Sequence, residues 1–350
     1  MTSKTASPRL AAGALVALVL ATLTSAATIV VSFPAYDTVL REAFPQANVV
    51  LLTKGAGDPH EYQLTAEDLK LLTNLTSSDV VVLSMHAPFE LKIAEMAKEG
   101  KIKARVIDLT KIQIYLTFDG KLVRPDQPGV SGVNPHDHGL YPPNVIRLVE
   151  EVSRATGLRP SEDFVNRLRQ LNATYCCKFA GRAVALTPAA QYLLYWLGFR
   201  DIAVFIKEPG VPPTPDDLQK ALQYAREGAP VVAAVVRGEA MRVVNMFSQK
   251  AREAGIQPNV VVADFSKGEY LSSLEKFAAE VAKLYTATSS AKAEAPTSTT
   301  PVQTGATGAE APREAQPTGS SQSWLWLAAA VVVAVGASAA GFLALRKRRR

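Results

Sequence analysis

The sequence predicts an α/β protein of two lobes, each with a mostly parallel sheet flanked by helices, joined by a helical connection and separated by a cleft. Two observations lead to this fold class. Strand-like runs rich in Val and Ile alternate with helical patterns, and these runs are continuously apolar. Such runs are typical of parallel strands in a sheet that helices cover on both faces. The alternation comes in two series with a purely helical stretch between them, which indicates two lobes.

The first lobe is predicted over residues 28–155. Its four strand-like runs are TIVVSF (28–33), NVVLLT (48–53), DVVVLS (79–84) and ARVIDL (104–109). The helical patterns YDTVLREAF, TAEDLKLLTNL and PFELKIAEMAKEG follow the first three runs. The fourth run leads into an irregular stretch, and the pattern turns helical after Pro143.

The helical connection is predicted over residues 156–179, because apolar residues there recur at three- and four-residue spacing. The second lobe is predicted over residues 180–287. Its strand-like runs are RAVALT, DIAVFI, PVVAAVV and NVVVADF. They alternate with the helical patterns AAQYLLYWLGF, PDDLQKALQYAREG, AMRVVNMFSQKAREAG and YLSSLEKFAAEVAKLYTA. This repeats the organisation of the first lobe.

The first 27 residues have the layout of a secretory signal peptide. Lys4 and Arg9 precede an apolar run, and small residues follow up to Ala26 and Ala27. A charged start, an apolar centre and a small-residue end are the features by which export signals are recognised. The sequence therefore predicts that the globular part is extracytoplasmic.

The C-terminal region predicts a membrane anchor. Residues 288–322 are rich in Ala, Pro, Thr, Ser and Gly, a composition that cannot bury enough apolar surface to fold and is typical of a disordered tether. Residues 323–345 carry no charge and are long enough for a single-pass transmembrane helix. The basic tail 346–350 is predicted to be cytoplasmic by the positive-inside rule.

The charge of the chain argues against nucleic acid as a partner. The formal net charge is +6, and the five bases of residues 346–350 account for most of it. The remainder is nearly neutral and has no basic patch of the kind that binds nucleic acid.

The four histidines point to metal chemistry. His60, His86, His136 and His138 all fall in loops that follow strands of the first predicted sheet, and Asp264 ends a strand of the second. Ligands of open α/β sheets bind at the carboxyl ends of the strands. A single loop histidine is usually only solvated, but several imidazoles with a carboxylate can bind zinc or a similar divalent ion.

Several motifs resemble the zinc/manganese-type substrate-binding proteins of ABC transporters. They are GAGDPHEYQLTAEDLKLL, NPHDHGLYPPNVIRLVEEV, EPGVPPTPDDLQKAL and NVVVADFSKGEYLSSLEKFAAEVAKL. Each motif is of moderate specificity, but their order and spacing extend over nearly all of residues 28–285.

The resemblance implies two α/β lobes joined by a rigid helix, with a metal ion held in the cleft by three histidines and an acidic residue. By this resemblance, His60 corresponds to the first ligand, His136 to the second because Pro135 precedes it, and Asp264 to the carboxylate. The third histidine of the family should begin the first helix of the second lobe. This chain has Thr187 there, and a threonine hydroxyl is a weak ligand for zinc.

His86 is the predicted substitute, because it occupies a cleft loop in which the family ordinarily has no ligand. His138 is predicted to be a second donor or a neighbour of His136, since residues two apart on an extended stretch point the same way. The predicted metal site therefore comprises His60, His86, His136, His138 and Asp264. Four possible nitrogen ligands favour Zn²⁺, with Mn²⁺ as the alternative.

The leading functional hypothesis is a membrane-anchored, extracytoplasmic receptor that captures a divalent metal ion by lobe closure and delivers it to an ABC importer permease, without catalysing a reaction. A metal-dependent hydrolase is the first alternative, with Glu61 or Glu239 as the general base, although no H-E-x-x-H motif is present. The second alternative is a non-metal solute-binding or adhesion protein, for which Glu208 and Arg237 are candidate cleft residues.

Overall fold

The computed structural model describes residues 26–56, 61–125, 127, 129–236 and 240–294. Outside these ranges lie most of the predicted signal peptide and tether, and all of the predicted transmembrane segment and basic tail. Within the described ranges, no helix has both the length and the apolar character that crossing a membrane requires.

The first lobe is built on a parallel four-stranded sheet of order β2-β1-β3-β4. The strands are β1 (Thr28–Val31), β2 (Asn48–Leu51), β3 (Val80–Leu83) and β4 (Arg105–Asp108). The helices α1 (Pro34–Ala43), α2 (Ala66–Asn74) and α3 (Pro88–Lys98) connect them. All four residues of β3 are buried, as expected for a strand covered on both faces.

A small antiparallel sheet follows β4, where the sequence predicts only an irregular stretch. It comprises β5 (Tyr115–Thr117), β6 (Leu122–Val123) and β7 (Val133–Asn134), in the order β6-β5-β7. Strands of two or three residues are too short to produce a recognisable hydrophobic period. This sheet carries the chain from β4 to the segment that contains His136 and His138.

Two helices form the connection between the lobes, α4 (Pro142–Thr156) and α5 (Glu162–Tyr175). The first ends at Gly157, whose φ of 73° is the left-handed conformation that commonly terminates a helix. The second begins at Ser161, whose side chain accepts a hydrogen bond from the backbone N–H of Phe164.

The second lobe repeats the plan of the first. Its parallel strands are β8 (Arg182–Ala185), β9 (Asp201–Val204), β10 (Val231–Val235) and β11 (Val260–Asp264). Its helices are α6 (Pro188–Leu197), α7 (Pro215–Arg226), α8 (Ala240–Glu253) and α9 (Tyr270–Glu294). The order β11-β10-β8-β9 is that of the first sheet read in reverse. Helix α9 includes residues 288–294, where the sequence predicts the start of the tether.

One hydrophobic core extends through both lobes. It joins β1 and α1 of the first lobe to α4, α5 and α6, and its members include Tyr36, Leu148, Phe164 and Tyr192. Separate clusters lie between each sheet and its outer helices. The predicted fold class of two α/β lobes with parallel sheets is confirmed.

Candidate functional site

A cleft of about 550 Å³ lies between the lobes at the carboxyl ends of their strands. Phe33 and His86 line it just after β1 and β3, and Thr187 and Val236 line it just after β8 and β10. Each sheet reverses its strand order between these two strands. The cleft therefore lies where the topological switch points of the two sheets face each other, which is where open α/β sheets bind ligands.

A larger cavity of about 660 Å³ lies at the opposite end of the second sheet. It is lined by Arg182, Glu227 and Tyr285, among others, and by none of the predicted site residues. We place the functional site in the cleft, because His86 and His136 line it and because it lies at the carboxyl ends of the strands.

His86 lies in a short loop that the buried carboxylate of Glu90 supports. This carboxylate accepts hydrogen bonds from the backbone N–H of Ser84 at 2.6 Å and from its hydroxyl at 2.7 Å. It also accepts from the backbone N–H groups of His86 at 2.7 Å and Ala87 at 2.9 Å. Between Ser84 and His86, Met85 has a φ of 62°, which is uncommon for a residue other than glycine. The four hydrogen bonds offset the cost of this turn and fix the backbone that carries the His86 ring.

His136 follows β7 and is held by Asn134. The side-chain oxygen of Asn134 accepts a hydrogen bond from the backbone N–H of His136 at 3.1 Å. The side-chain nitrogen of Asn134 donates to the carbonyl of Pro188 and to the side-chain oxygen of Gln191, both at 2.9 Å. The buried Asn134 amide thus attaches the His136 backbone to α6 of the second lobe. The His136 ring meets that of His86, with centroids 5.1 Å apart and planes at 89°.

Glu208 reaches His136 from the second lobe. It lies in the loop between β9 and α7, and its Oε2 is 3.1 Å from Nε2 of His136. The His136 side chain is 4% exposed and that of Glu208 is 55% exposed. The pair places a nitrogen donor of the first lobe next to a carboxylate of the second.

His138 lies behind the cleft and is 1% exposed. Its Nδ1 lies 3.0 Å from the carbonyl of Pro135; since a carbonyl can only accept, Nδ1 carries the proton. Its Nε2 therefore accepts the hydrogen bond from the Tyr36 hydroxyl at 3.1 Å. Burial lowers the pKa of His138 to about 3, and the neighbouring His86 and His136 also act to lower it. Both ring nitrogens of this neutral imidazole are engaged by groups of the protein.

Thr187 occupies the position at which the family resemblance implies a histidine. Its side chain links the end of β8 to β10 by hydrogen bonds. Its hydroxyl accepts a hydrogen bond from the backbone N–H of Ala234 at 3.0 Å and donates to the carbonyl of the same residue at 3.2 Å. The hydroxyl is therefore directed at the backbone of β10.

Asp264 ends β11, as predicted from the sequence. It is not among the described residues that line the cleft. Its Oδ1 accepts hydrogen bonds from the hydroxyl of Ser266 at 2.6 Å and from its backbone N–H at 2.9 Å. These two bonds hold the pKa of Asp264 below its usual value.

His60, Arg237 and Glu239 lie outside the described residues. Among the residues that are described, no three His, Cys, Asp or Glu side chains are grouped closely enough to hold a metal ion.

The chain matches a known protein family over most of its length. Residues 29–283 match the family model of ZnuA, described as the periplasmic component A of a zinc-uptake complex. The chain belongs to this family. This confirms the resemblance drawn from the sequence motifs and identifies the chain as a substrate-binding protein of the ZnuA type. No curated protein sequence matches the chain.

Solved structures share the fold of this ZnuA-family chain. FpvC of Pseudomonas aeruginosa in complex with Mn²⁺ has a TM-score of 0.52 and 20% identity, covering 75% of this chain and 99% of FpvC. A crystal structure of ZnuA has a TM-score of 0.51 and 18% identity, covering 75% of this chain and 100% of the other. Zn(II)-bound AdcA of Streptococcus pneumoniae has a TM-score of 0.50 and 18% identity, covering 74% of this chain and 57% of AdcA. At such identities the likeness shows the shared two-lobed fold.

Two residues have roles at the site of this ZnuA-family chain that the sequence did not predict. Glu90 supports the His86 loop, and its signal is present in the sequence, because a Glu three residues after the N-cap residue, here Ala87, is at the capping-box position. For Glu208 the sequence predicts a cleft position only under the alternative of a non-metal solute. Its contact with His136 depends on how the two lobes are placed, which no local pattern encodes.

Proposed function

We propose that this ZnuA-family protein captures a divalent metal ion in the interlobe cleft and presents it to an ABC importer. The observation that carries the proposal is that the His86 and His136 rings meet from two first-lobe loops, with Glu208 of the second lobe 3.1 Å from His136. Because no three described donors are grouped closely enough to hold an ion, binding is proposed to draw these side chains together. Imidazole nitrogens and carboxylate oxygens are the donors that zinc sites use. Because the ligands come from both lobes, bound metal would hold the lobes together.

His86 is the substitute for the ligand that Thr187 does not provide. It approaches His136 from β3 of the first lobe, whereas the family ligand would approach from α6 of the second. His60 is proposed, from its sequence motif, as a further ligand. We assign His138 a supporting role beside His136, since its two nitrogens bind Pro135 and Tyr36.

Zinc is the proposed ion, with manganese as the alternative. Two or three imidazoles with a carboxylate suit zinc, whereas a site for manganese is expected to contain more oxygen donors. The proposed action is binding and release, so no general base is assigned to the cleft.

We also propose that the globular part works outside the cytoplasm, as the family description implies. The apolar residues 323–345 and the basic residues 346–350 of the sequence support a single-pass anchor next to the permease.

Isothermal titration calorimetry of the full-length chain with Zn²⁺ and with Mn²⁺ tests the proposal. We expect one ion bound per chain, with zinc bound more tightly. His136→Ala should weaken zinc binding at least about 100-fold, because loss of a group that only supports a ligand already costs about 10–100-fold. Glu253→Gln, an exposed change at the far end of α8, is the control. If neither ion binds the unmodified chain, or if His136→Ala binds as the unmodified chain does, the proposal is wrong.

A further inference from the structure

The two cysteines of the chain are adjacent and lie where the helical connection enters the second lobe. Cys176 directly follows α5, and Cys177 comes next. Both are free thiols, and their Sγ atoms lie 2.7 Å apart. An S–S bond is about 2.05 Å long, so a small movement of either side chain would bring the two sulfurs to bonding distance.

A turn in the backbone accounts for this contact. Neighbouring side chains on an extended chain point in opposite directions, which would hold two adjacent sulfurs apart. Cys177 instead has a φ of 61°, the left-handed conformation that is uncommon for residues other than glycine. Such a conformation persists only where the surrounding structure holds it, and it is found most often at functional sites.

Helix α6 holds this turn in place. The backbone N–H of Cys177 donates to the carbonyl of Trp196 at 3.0 Å, and that of Phe179 donates to the carbonyl of Leu197 at 3.0 Å. The backbone after α6 packs so closely that a Cβ on Gly198 would clash with the carbonyl oxygen of Phe179. The segment that carries the two thiols is therefore fixed against the second lobe, with its sulfurs in contact.

The two thiols differ in their access to solvent. Cys177 is exposed, whereas Cys176 is half-buried. Burial, together with the hydrogen bond to Cys177, raises the pKa of the Cys176 thiol to about 11. A dissolved reagent therefore reaches Cys177 first and finds the Cys176 sulfur next to it. Among the described residues, no third His, Cys, Asp or Glu joins the pair to form a metal site, so oxidation is the chemistry that the pair supports.

We propose that Cys176 and Cys177 form a redox-modification site, at which a small disulfide of the glutathione type converts the two thiols into a vicinal disulfide. Cys177 attacks one sulfur of the donor, whose S–S bond breaks and whose first thiol leaves. Cys176 then attacks the Cys177 sulfur, which closes the intramolecular S–S bond and releases the second donor thiol. The two cysteine protons pass to the donor thiols, so one donor disulfide is reduced as the pair is oxidised.

The product should be easy to reduce again. The α-carbons of adjacent residues are about 3.8 Å apart, whereas those of ordinary disulfide partners are about 4.4–6.8 Å apart. A vicinal disulfide is therefore strained, and strained or exposed disulfides are the labile ones. The inference goes beyond metal capture and shares with it only the location outside the cytoplasm, where disulfides form and persist.

Mass spectrometry of the full-length chain tests the proposal. The reduced protein, freed of reductant, is incubated with oxidised glutathione, quenched with acid and alkylated with iodoacetamide. We expect a monomer lighter than the reduced chain by two hydrogen atoms, with neither alkyl groups nor glutathione attached. An excess of reduced glutathione should then restore two thiols that react with iodoacetamide.

The single variants test the order of the two steps. Cys176→Ser should stop at the mixed disulfide between glutathione and Cys177, because the second thiol is missing. Cys177→Ser should form its mixed disulfide about tenfold more slowly, because the remaining thiol is half-buried and has a raised pKa.

Three results would each overturn the proposal: glutathione that stays attached to the unmodified chain, two thiols that still react with iodoacetamide after the incubation, or a disulfide-linked dimer. None of these results would bear on metal capture, because neither cysteine is among the described residues that line the cleft.

Discussion

The rings of His86 and His136 meet edge to face, with their centroids 5.1 Å apart, although they belong to loops that follow different strands. The His86 loop follows β3, and the His136 segment follows the small antiparallel sheet. Both backbones are fixed by buried side chains, Glu90 for the first and Asn134 for the second. This arrangement places two imidazole rings next to each other in the cleft.

His86→Ala tests whether this histidine replaces the family ligand missing at Thr187. We expect zinc affinity to fall by about as much as in His136→Ala, at least about 100-fold, while the thermal unfolding midpoint without metal changes little. Calorimetry measures the affinity, and circular dichroism in the presence of a chelator measures the midpoint. Unchanged zinc affinity in His86→Ala would restrict the site to the ligands that the family resemblance implies.

The carboxylate of the site can be identified by comparing Glu208→Gln with Asp264→Asn. Both changes keep the side-chain shape and remove the charge. Because Glu208 contacts His136 and Asp264 is turned towards Ser266, we expect zinc affinity to fall about tenfold or more in Glu208→Gln and much less in Asp264→Asn. The reverse result would show that metal binding moves Asp264 into the cleft.

His138 should matter for stability more than for direct metal binding. His138→Ala removes a fully buried ring and leaves the Tyr36 hydroxyl without its acceptor, so we expect a loss of about 3 kcal/mol in the free energy of unfolding. Tyr36→Phe removes only the hydroxyl and should cost about 1 kcal/mol. Chemical denaturation without metal measures both values. A His138→Ala protein that keeps full stability but loses zinc binding would make His138 a ligand.

Asp79 provides a pH-dependent test of the first lobe. Its carboxylate accepts from the backbone N–H of Thr28 at 2.7 Å and from that of Thr76 at 2.7 Å, joining the start of β1 to the loop before β3. Burial alone would raise the pKa of Asp79, but the hydrogen bonds from Thr76 and Thr28 outweigh it and lower the pKa. The stabilisation is therefore fully present above the unfolded-state pKa of about 3.9 and is lost as the pH falls through the lower folded-state pKa.

Asp79→Asn should consequently lower the unfolding midpoint at pH 7, and the difference from the unmodified chain should shrink at pH values below about 4. Thermal unfolding followed across this pH range in the absence of metal measures the difference. The exposed carboxylate of Glu280 provides the control variant Glu280→Gln. A midpoint difference that stays constant with pH would contradict the role assigned to the Asp79 charge.

The sequence predicted the two sheets well and the site only in part, for physical reasons. Strands such as β3 and β10 are continuously buried, so their apolar runs are unmistakable, whereas the short β6 and β7 carry no such pattern. The carboxyl-end rule located His86 and His136 correctly at the cleft. It could not distinguish a ring that faces the cleft from one that packs behind it, because His138 is oriented by Tyr36, distant in sequence. Likewise, the orientation of Asp264 depends on a local hydrogen bond to Ser266.

Glu90 acts on the site through the backbone of the His86 loop, and Glu90→Gln isolates this positioning role. The amide keeps the size of the side chain but replaces one acceptor oxygen with an NH₂ donor. This donor would face the backbone N–H groups of Ser84 and His86, from which the Glu90 carboxylate accepts hydrogen bonds. We expect a loss of about 2–3 kcal/mol in stability, because buried donors lose their partner, and a decrease of about tenfold in zinc affinity, because the His86 ring is no longer fixed. In His86→Ala, adding Glu90→Gln should lower stability again but leave the residual zinc affinity unchanged. A further decrease in affinity in that double variant would show that Glu90 acts on the metal by a route other than His86.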